Sequence, residues 1–176
     1  MKQFYSHGRF LLQCLGAIAL ATALLLKRPG FDFVLFLFAL LLAVGLPLLH
    51  VWITSAFETV TQRNSKPYTP TPDHHPAQKY FLAMEDGLFL VPLLWVGITP
   101  VTAAIASLMY AFFIYGRQSL SMVATRSVAY FLLIIWVLPQ DLWMVVAAHA
   151  VSELAIRYLF PYWFTIAPAA QQEGTR

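Results

Sequence analysis

The sequence predicts an all-α protein, a polytopic membrane helix bundle of about six transmembrane helices with both termini on the cytoplasmic side. Two observations carry this expectation. Of 176 residues, 60% are hydrophobic and only 11% charged, with a mean hydropathy of +0.68, whereas soluble domains carry about 25% charged residues. The apolar residues also gather into windows close to the ~20 residues that cross a hydrocarbon core about 30 Å thick.

Residues 10–26, FLLQCLGAIALATALLL, form the first window and residues 31–53 the second, with KRPG as the turn between them. Proline and glycine there disfavour helix continuation. The preceding MKQFYSHGR resembles the positive region of a signal peptide, but KRPG offers no small-residue cleavage site, so the first window reads as a retained helix. A third segment runs from about 80 to 98 and a fourth from about 100 to 116, separated by TP alone. The fifth covers about 122–138 and stops at Pro139; the last begins near Asp141 and reaches about 160.

Residues 58–79, ETVTQRNSKPYTPTPDHHPAQK, carry four prolines and form a polar loop. The chain divides around it into an N-terminal transmembrane hairpin (1–57), the loop (58–79), a four-helix membrane core (80–166) and a polar tail (167–176). Lys2, Arg9, Arg63, Lys66, Lys79, Arg117 and Arg176 fall on one side of this topology and only Lys27 and Arg28 on the other. The bias places the first side in the cytoplasm, in a bacterial inner membrane. The net charge of +3 fits this pattern and calls for no nucleic-acid partner; the bilayer is the expected partner. Cys14 is the single cysteine, so no disulfide framework exists.

The ionisable residues set within apolar windows fall almost entirely in the second block: Glu85, Asp86, Arg126, His149, Glu153 and Arg157. A charged side chain at a helix centre costs roughly 2.5 to 3.5 kcal/mol on insertion scales, so these residues need partners, a watery cavity or a chemical task. His149, Glu153 and Arg157 recur every four residues and share one helix face. Their structural reading is a Glu153–Arg157 ion pair reaching toward the interface with His149 hydrogen-bonded across the bundle. Their functional reading is a polar pocket shared with Glu85 and Asp86.

Two stretches carry a resemblance. EDGLF, Glu85 to Phe89, and LPQDLWMVVAAHAVSEL, leading to His149 and Glu153, resemble the first and third motifs of the CPBP family, the intramembrane proteases named for CAAX prenyl proteases and bacteriocin-processing proteins. The resemblance spans roughly residues 80–160. Leu90 stands where the first motif has an arginine, and Val91 where a glycine is frequent. In the second motif Tyr110 replaces a phenylalanine and Ile114 a histidine; in the third, Glu153 replaces Asn or Asp. The resemblance implies a peptide bond cleaved at or within the membrane by a water that Glu85 activates. Asp86 would tune Glu85, and His149 and Glu153 would orient water or substrate. A membrane protein or peptide would be the substrate. Arg126, with no acid nearby in sequence, is a candidate to neutralise Glu85 or Asp86 in place of the arginine absent at Leu90; its bland placement is the cytoplasmic interface beside Arg117.

Other readings stay open at this point. A catalytically inactive relative would serve as a scaffold or accessory subunit of a membrane complex, using the polar residues as packing glue, and a small transporter or proton-relay subunit would also place acids and a histidine mid-membrane. A divalent metal held by Glu85, Asp86, His149 and Glu153 is a further alternative, although zinc sites use three or four ligands and only one histidine is intramembrane. His74 and His75 read as a solvated loop, within reach of the mouth of the site, and His50 as an interfacial or hydrogen-bonded helix residue near Trp52. The aromatics at segment ends, as in IRYLFPYWF, read as an interface belt.

Overall fold

The computed structural model of the protein describes residues 2–26, 30, 32–61, 80–115 and 120–159. His74 and His75, Arg117 and the tail beyond residue 159 lie outside the described residues, as does the side chain of Arg157. Six helices are present and no strand among the described residues: α1 (Lys2–Leu26), α2 (33–61), α3 (Asp86–Val96), α4 (Pro100–Tyr115), α5 (Leu120–Trp136) and α6 (Leu142–Tyr158). Within α1 and α2, Gly8–Leu25 and Phe33–Ile53 are long and apolar enough to cross a membrane; the other four helices are apolar but shorter.

Local chemistry sets most helix ends. Asp32 caps α2, its carboxylate accepting the Leu35 N–H at 3.0 Å. At α4 the Thr99 hydroxyl accepts the Thr102 N–H (3.2 Å) while the Thr102 hydroxyl accepts the Thr99 N–H (2.8 Å), a reciprocal cap just ahead of Pro100, which needs no N–H partner in a first turn. Gly97, at φ +100°, ends α3 in a conformation that favours glycine. Asp141 caps α6 through the Trp143 N–H at 2.6 Å, and its other oxygen accepts the Gly30 N–H at 3.0 Å. It thereby ties the α1–α2 turn to the α5–α6 turn.

The third segment departs from expectation. It becomes helical only at Asp86, because residues 81–85 form a tight turn in which Ala83 adopts φ +57°. The Asp86, Gly87 and Leu88 N–H groups bond three residues back, to Ala83, Met84 and Glu85. Glu85 and Asp86 therefore stand at a helix N-terminus, where the macrodipole favours negative charge, and not one turn inside. The turn is itself packed in protein, with Ala83 and Glu85 fully buried.

In the bundle α1 packs on α3, α2 on α5 and α6, and α4 along α5. Leu90, Leu133, Ile134, Val137, Leu138 and Val145 form the centre of the apolar core. Large apolar side chains, among them Ile18, Val34, Trp52, Val101, Phe112 and Leu120, face outward.

Candidate functional site

A close helix crossing sets the position of the two acids. A Cβ added at Gly16 of α1 would lie 1.9 Å from the Met84 carbonyl oxygen, and one at Gly87 of α3 2.1 Å from the Gly16 oxygen. Only glycine lets the backbones approach this far. The contact presses the turn before α3 against α1, and Arg9, two turns before Gly16, is brought to the same acids.

Arg9 joins three helices. Its Nη2 donates to Glu85 at 3.0 Å and to Glu153 at 3.5 Å, so one guanidinium on α1 pairs with a carboxylate at the head of α3 and another on α6. The Arg9 side chain is 20% exposed while both carboxylates are buried, which makes it the outward edge of an otherwise enclosed cluster.

Asp86 and His149 form the second half. His149 Nδ1 lies 2.9 Å from both Asp86 oxygens, the geometry of an Nδ1–H donor to a carboxylate. The Tyr130 hydroxyl donates to the same Asp86 at 3.1 Å. The other ring nitrogen, Nε2, faces the Tyr110 hydroxyl at 2.5 Å and Glu153 at 3.7 Å. With Nδ1 as donor, Nε2 accepts from Tyr110. The tyrosines hold one another by stacking, centroids 4.1 Å apart, and Phe89 meets Tyr110 edge-on at 5.4 Å.

A third strand of the network begins at a proline. Pro47 has no N–H, so in α2 the carbonyl of Ala43, four residues earlier, lacks the usual i→i+4 bond; a π-helical turn over Leu41–Gly45 lies at the same place. The Ser152 hydroxyl donates to that carbonyl at 2.7 Å, and Arg126 Nη1 donates to Ser152 at 2.9 Å. Arg126 also acts electrostatically on Glu153. With His149 protonated, the cluster holds three cations (Arg9, Arg126, His149) against three carboxylates (Glu85, Asp86, Glu153).

Beside these groups lies a cavity of about 10 Å³, lined by Tyr110, Arg126, Tyr130, His149, Ser152 and the apolar Ala43, Ala129 and Leu133. That is room for about one water molecule, with polar partners on several sides.

The residues singled out in sequence, Glu85, Asp86, His149 and Glu153, are thus all buried in one cluster. The cation paired with Glu85 is Arg9; Arg126, the sequence candidate, is buried against Ser152. Leu90 is buried in the core and Ile114 is packed against it. No group of three His, Cys, Asp or Glu side chains converges as a metal-ligand set among the described residues. Sequence reasoning missed Arg9, Tyr130 and Ser152, and it named Tyr110 only as the stand-in for a motif phenylalanine. The signal for Ser152 was Pro47, which announces an orphan carbonyl four residues upstream. No family model matches the chain, and neither a curated protein nor a solved structure does.

Proposed function

We propose that the chain is an integral protein of a bacterial inner membrane, with all six helices embedded, and that its buried polar centre hydrolyses a peptide bond at membrane level in the manner of the CPBP family it resembles. The membrane placement is supported by an inverted distribution of polarity. Large apolar side chains face outward, while Gln13, Glu85, Asp86, Arg126, His149, Ser152 and Glu153 are buried. Helices α4 to α6, of 16 or 17 residues, extend about 25 Å at 1.5 Å per residue.

The observation that carries the hydrolytic reading is the water-sized cavity against His149. A water there attacks the carbonyl carbon while its proton passes to His149, whose Nδ1–H is held by Asp86. The imidazolium faces Asp86 and Glu153 and later returns the proton to the leaving amine. Arg126, on the cavity wall, is a donor for the oxyanion, a role worth about 2.7 to 4 kcal/mol. Glu85, the base in the family pattern, holds Arg9 and does not line this cavity, so proton transfer falls to the Asp86–His149 pair. Arg9 supplies the cation absent at Leu90, and Tyr110, one turn before Ile114, supplies a polar contact to His149 from α4.

A specific observation favours a second reading. The carboxylates and cations pair with one another, and the cavity admits a water but not a peptide group. In that reading the chain is a catalytically inactive relative, a scaffold or accessory subunit whose cluster locks helices together.

The experiment compares wild type with His149→Ala and Asp86→Asn for processing of a single-span, membrane-anchored reporter, with protein level measured in parallel. Hydrolysis is supported by processing that falls about a hundredfold or more at unchanged abundance. Absence of processing in wild type, or losses that track abundance alone, selects the scaffold. Proton flux in liposomes that both substitutions abolish selects a relay.

A further inference from the structure

The end of the bundle away from the polar centre is built differently. Between the last turns of α1, the second half of α3 and the start of α6 lies a cavity of about 490 Å³, within the roughly 300–1,000 Å³ range of small-molecule sites. Its walls are mostly apolar, including Leu94, Leu138 and the indoles of Trp95 and Trp143. It opens sideways, where Leu25 and Trp95 are 87% and 79% exposed. One ionisable side chain lines it: Asp141, only 9% exposed.

Asp141 has a structural task as the cap of α6 and the anchor of Gly30. That task uses both carboxylate oxygens, one for each N–H, and the α6 macrodipole favours a negative charge there. The two backbone N–H groups occupy two of about four acceptor positions of a carboxylate, and among the described residues no Lys, Arg or His pairs with it. A negative charge therefore faces an otherwise greasy, laterally open cavity.

We infer that this cavity is a lipid site that takes one acyl chain of an outer-leaflet phospholipid whose headgroup bears an ammonium, with the ammonium against Asp141. The apolar walls match the chain. The carboxylate matches the cation and disfavours an anionic headgroup, and indole is the aromatic surface best suited to an ammonium. The tryptophans also belong at the depth where headgroup and chain meet. The site rests on the membrane placement proposed above and not on hydrolysis.

The test uses full-length protein in which Trp52, Trp95, Trp136 and Trp163 are phenylalanine, leaving Trp143 as the reporter. It is reconstituted in phosphatidylglycerol vesicles containing a small fraction of a lipid with brominated chains, which quench tryptophan on contact. Brominated phosphatidylethanolamine is expected to quench Trp143 several-fold more strongly than brominated phosphatidylglycerol at equal mole fraction. Asp141→Asn, which keeps the α6 cap but gives up the oxygen that accepts the Gly30 N–H, is expected to erase the difference at unchanged helicity. Equal quenching by both lipids overturns the inference, as it would if Lys27 or Arg28 neutralised Asp141. A preference that survives Asp141→Asn overturns it too, placing headgroup recognition elsewhere. Protein that fails to float with vesicles overturns the membrane placement, whereas floating protein without lipid preference overturns the lipid site alone.

Discussion

Gln13 is fully buried on α1, one turn beyond Arg9, and neither its amide nitrogen nor its oxygen meets a partner among the described residues. A buried polar group left unsatisfied costs about 1 to 3 kcal/mol. Gln13→Leu, close in volume, is therefore expected to raise the thermal unfolding midpoint in detergent, and a lowered midpoint would mean that the amide is bonded after all. Arg9 behaves oppositely. Removing one member of a buried ion pair costs roughly 3 to 5 kcal/mol, so Arg9→Ala is expected to lower abundance sharply. Arg9→Glu should be partly rescued by Glu85→Arg, whereas Arg126→Glu should gain nothing from Glu85→Lys; the two double variants, compared by protein level, identify the partner of Glu85. At this scale the sequence was legible where a charge interrupts an apolar run, which is why Glu85, Asp86, His149 and Glu153 stood out. Arg9 lies in a polar leader and reads there as a topology signal. Tyr110 and Tyr130 vanish among other aromatics, since nothing in sequence says which hydroxyl will meet a histidine or a carboxylate.

Among the elements, the α1–α3 crossing is a close joint, and glycine makes it so. Gly16→Val has no room beside the Met84 carbonyl, and overpacking of this kind costs about 1 to 3 kcal/mol or more. Gly8, on the same helix, has nothing within 4 Å of an added Cβ. Gly8→Ala is expected to be neutral or to stabilise by up to about 1 kcal/mol through helix propensity. Thermal melts of the pair measure the contrast, and equal effects would remove the crossing from the account. Helix number and turn positions were readable because apolar windows alternate with Pro, Gly and charge. The start of α3 was not, since FLAMED carries no breaker. The positive φ of Ala83 answers to the packing of α1 against Met84, a contact between residues far apart in sequence.

Among the described residues, ion pairs lie inside the bundle beside the apolar core, and many leucines and phenylalanines face outward. The hairpin of residues 1–57 and the core of residues 80–166 look independent in sequence because their compositions differ. In space they share one network: α1 gives Arg9, and α2 gives the Ala43 carbonyl that Pro47 leaves open. Arg9 and Glu153 stand 144 residues apart. Helix α1 leaves the ribosome before α6 and thus waits for it before its charge is fully matched, and Asp86 waits for His149. Synthesis itself becomes the timer of the polar centre. A chain stopped after residue 141 would leave Asp86 without His149 and Arg126 without Ser152, the kind of lesion that surveillance proteases read, and pulse-chase labelling is expected to find it degraded far faster than the full-length protein.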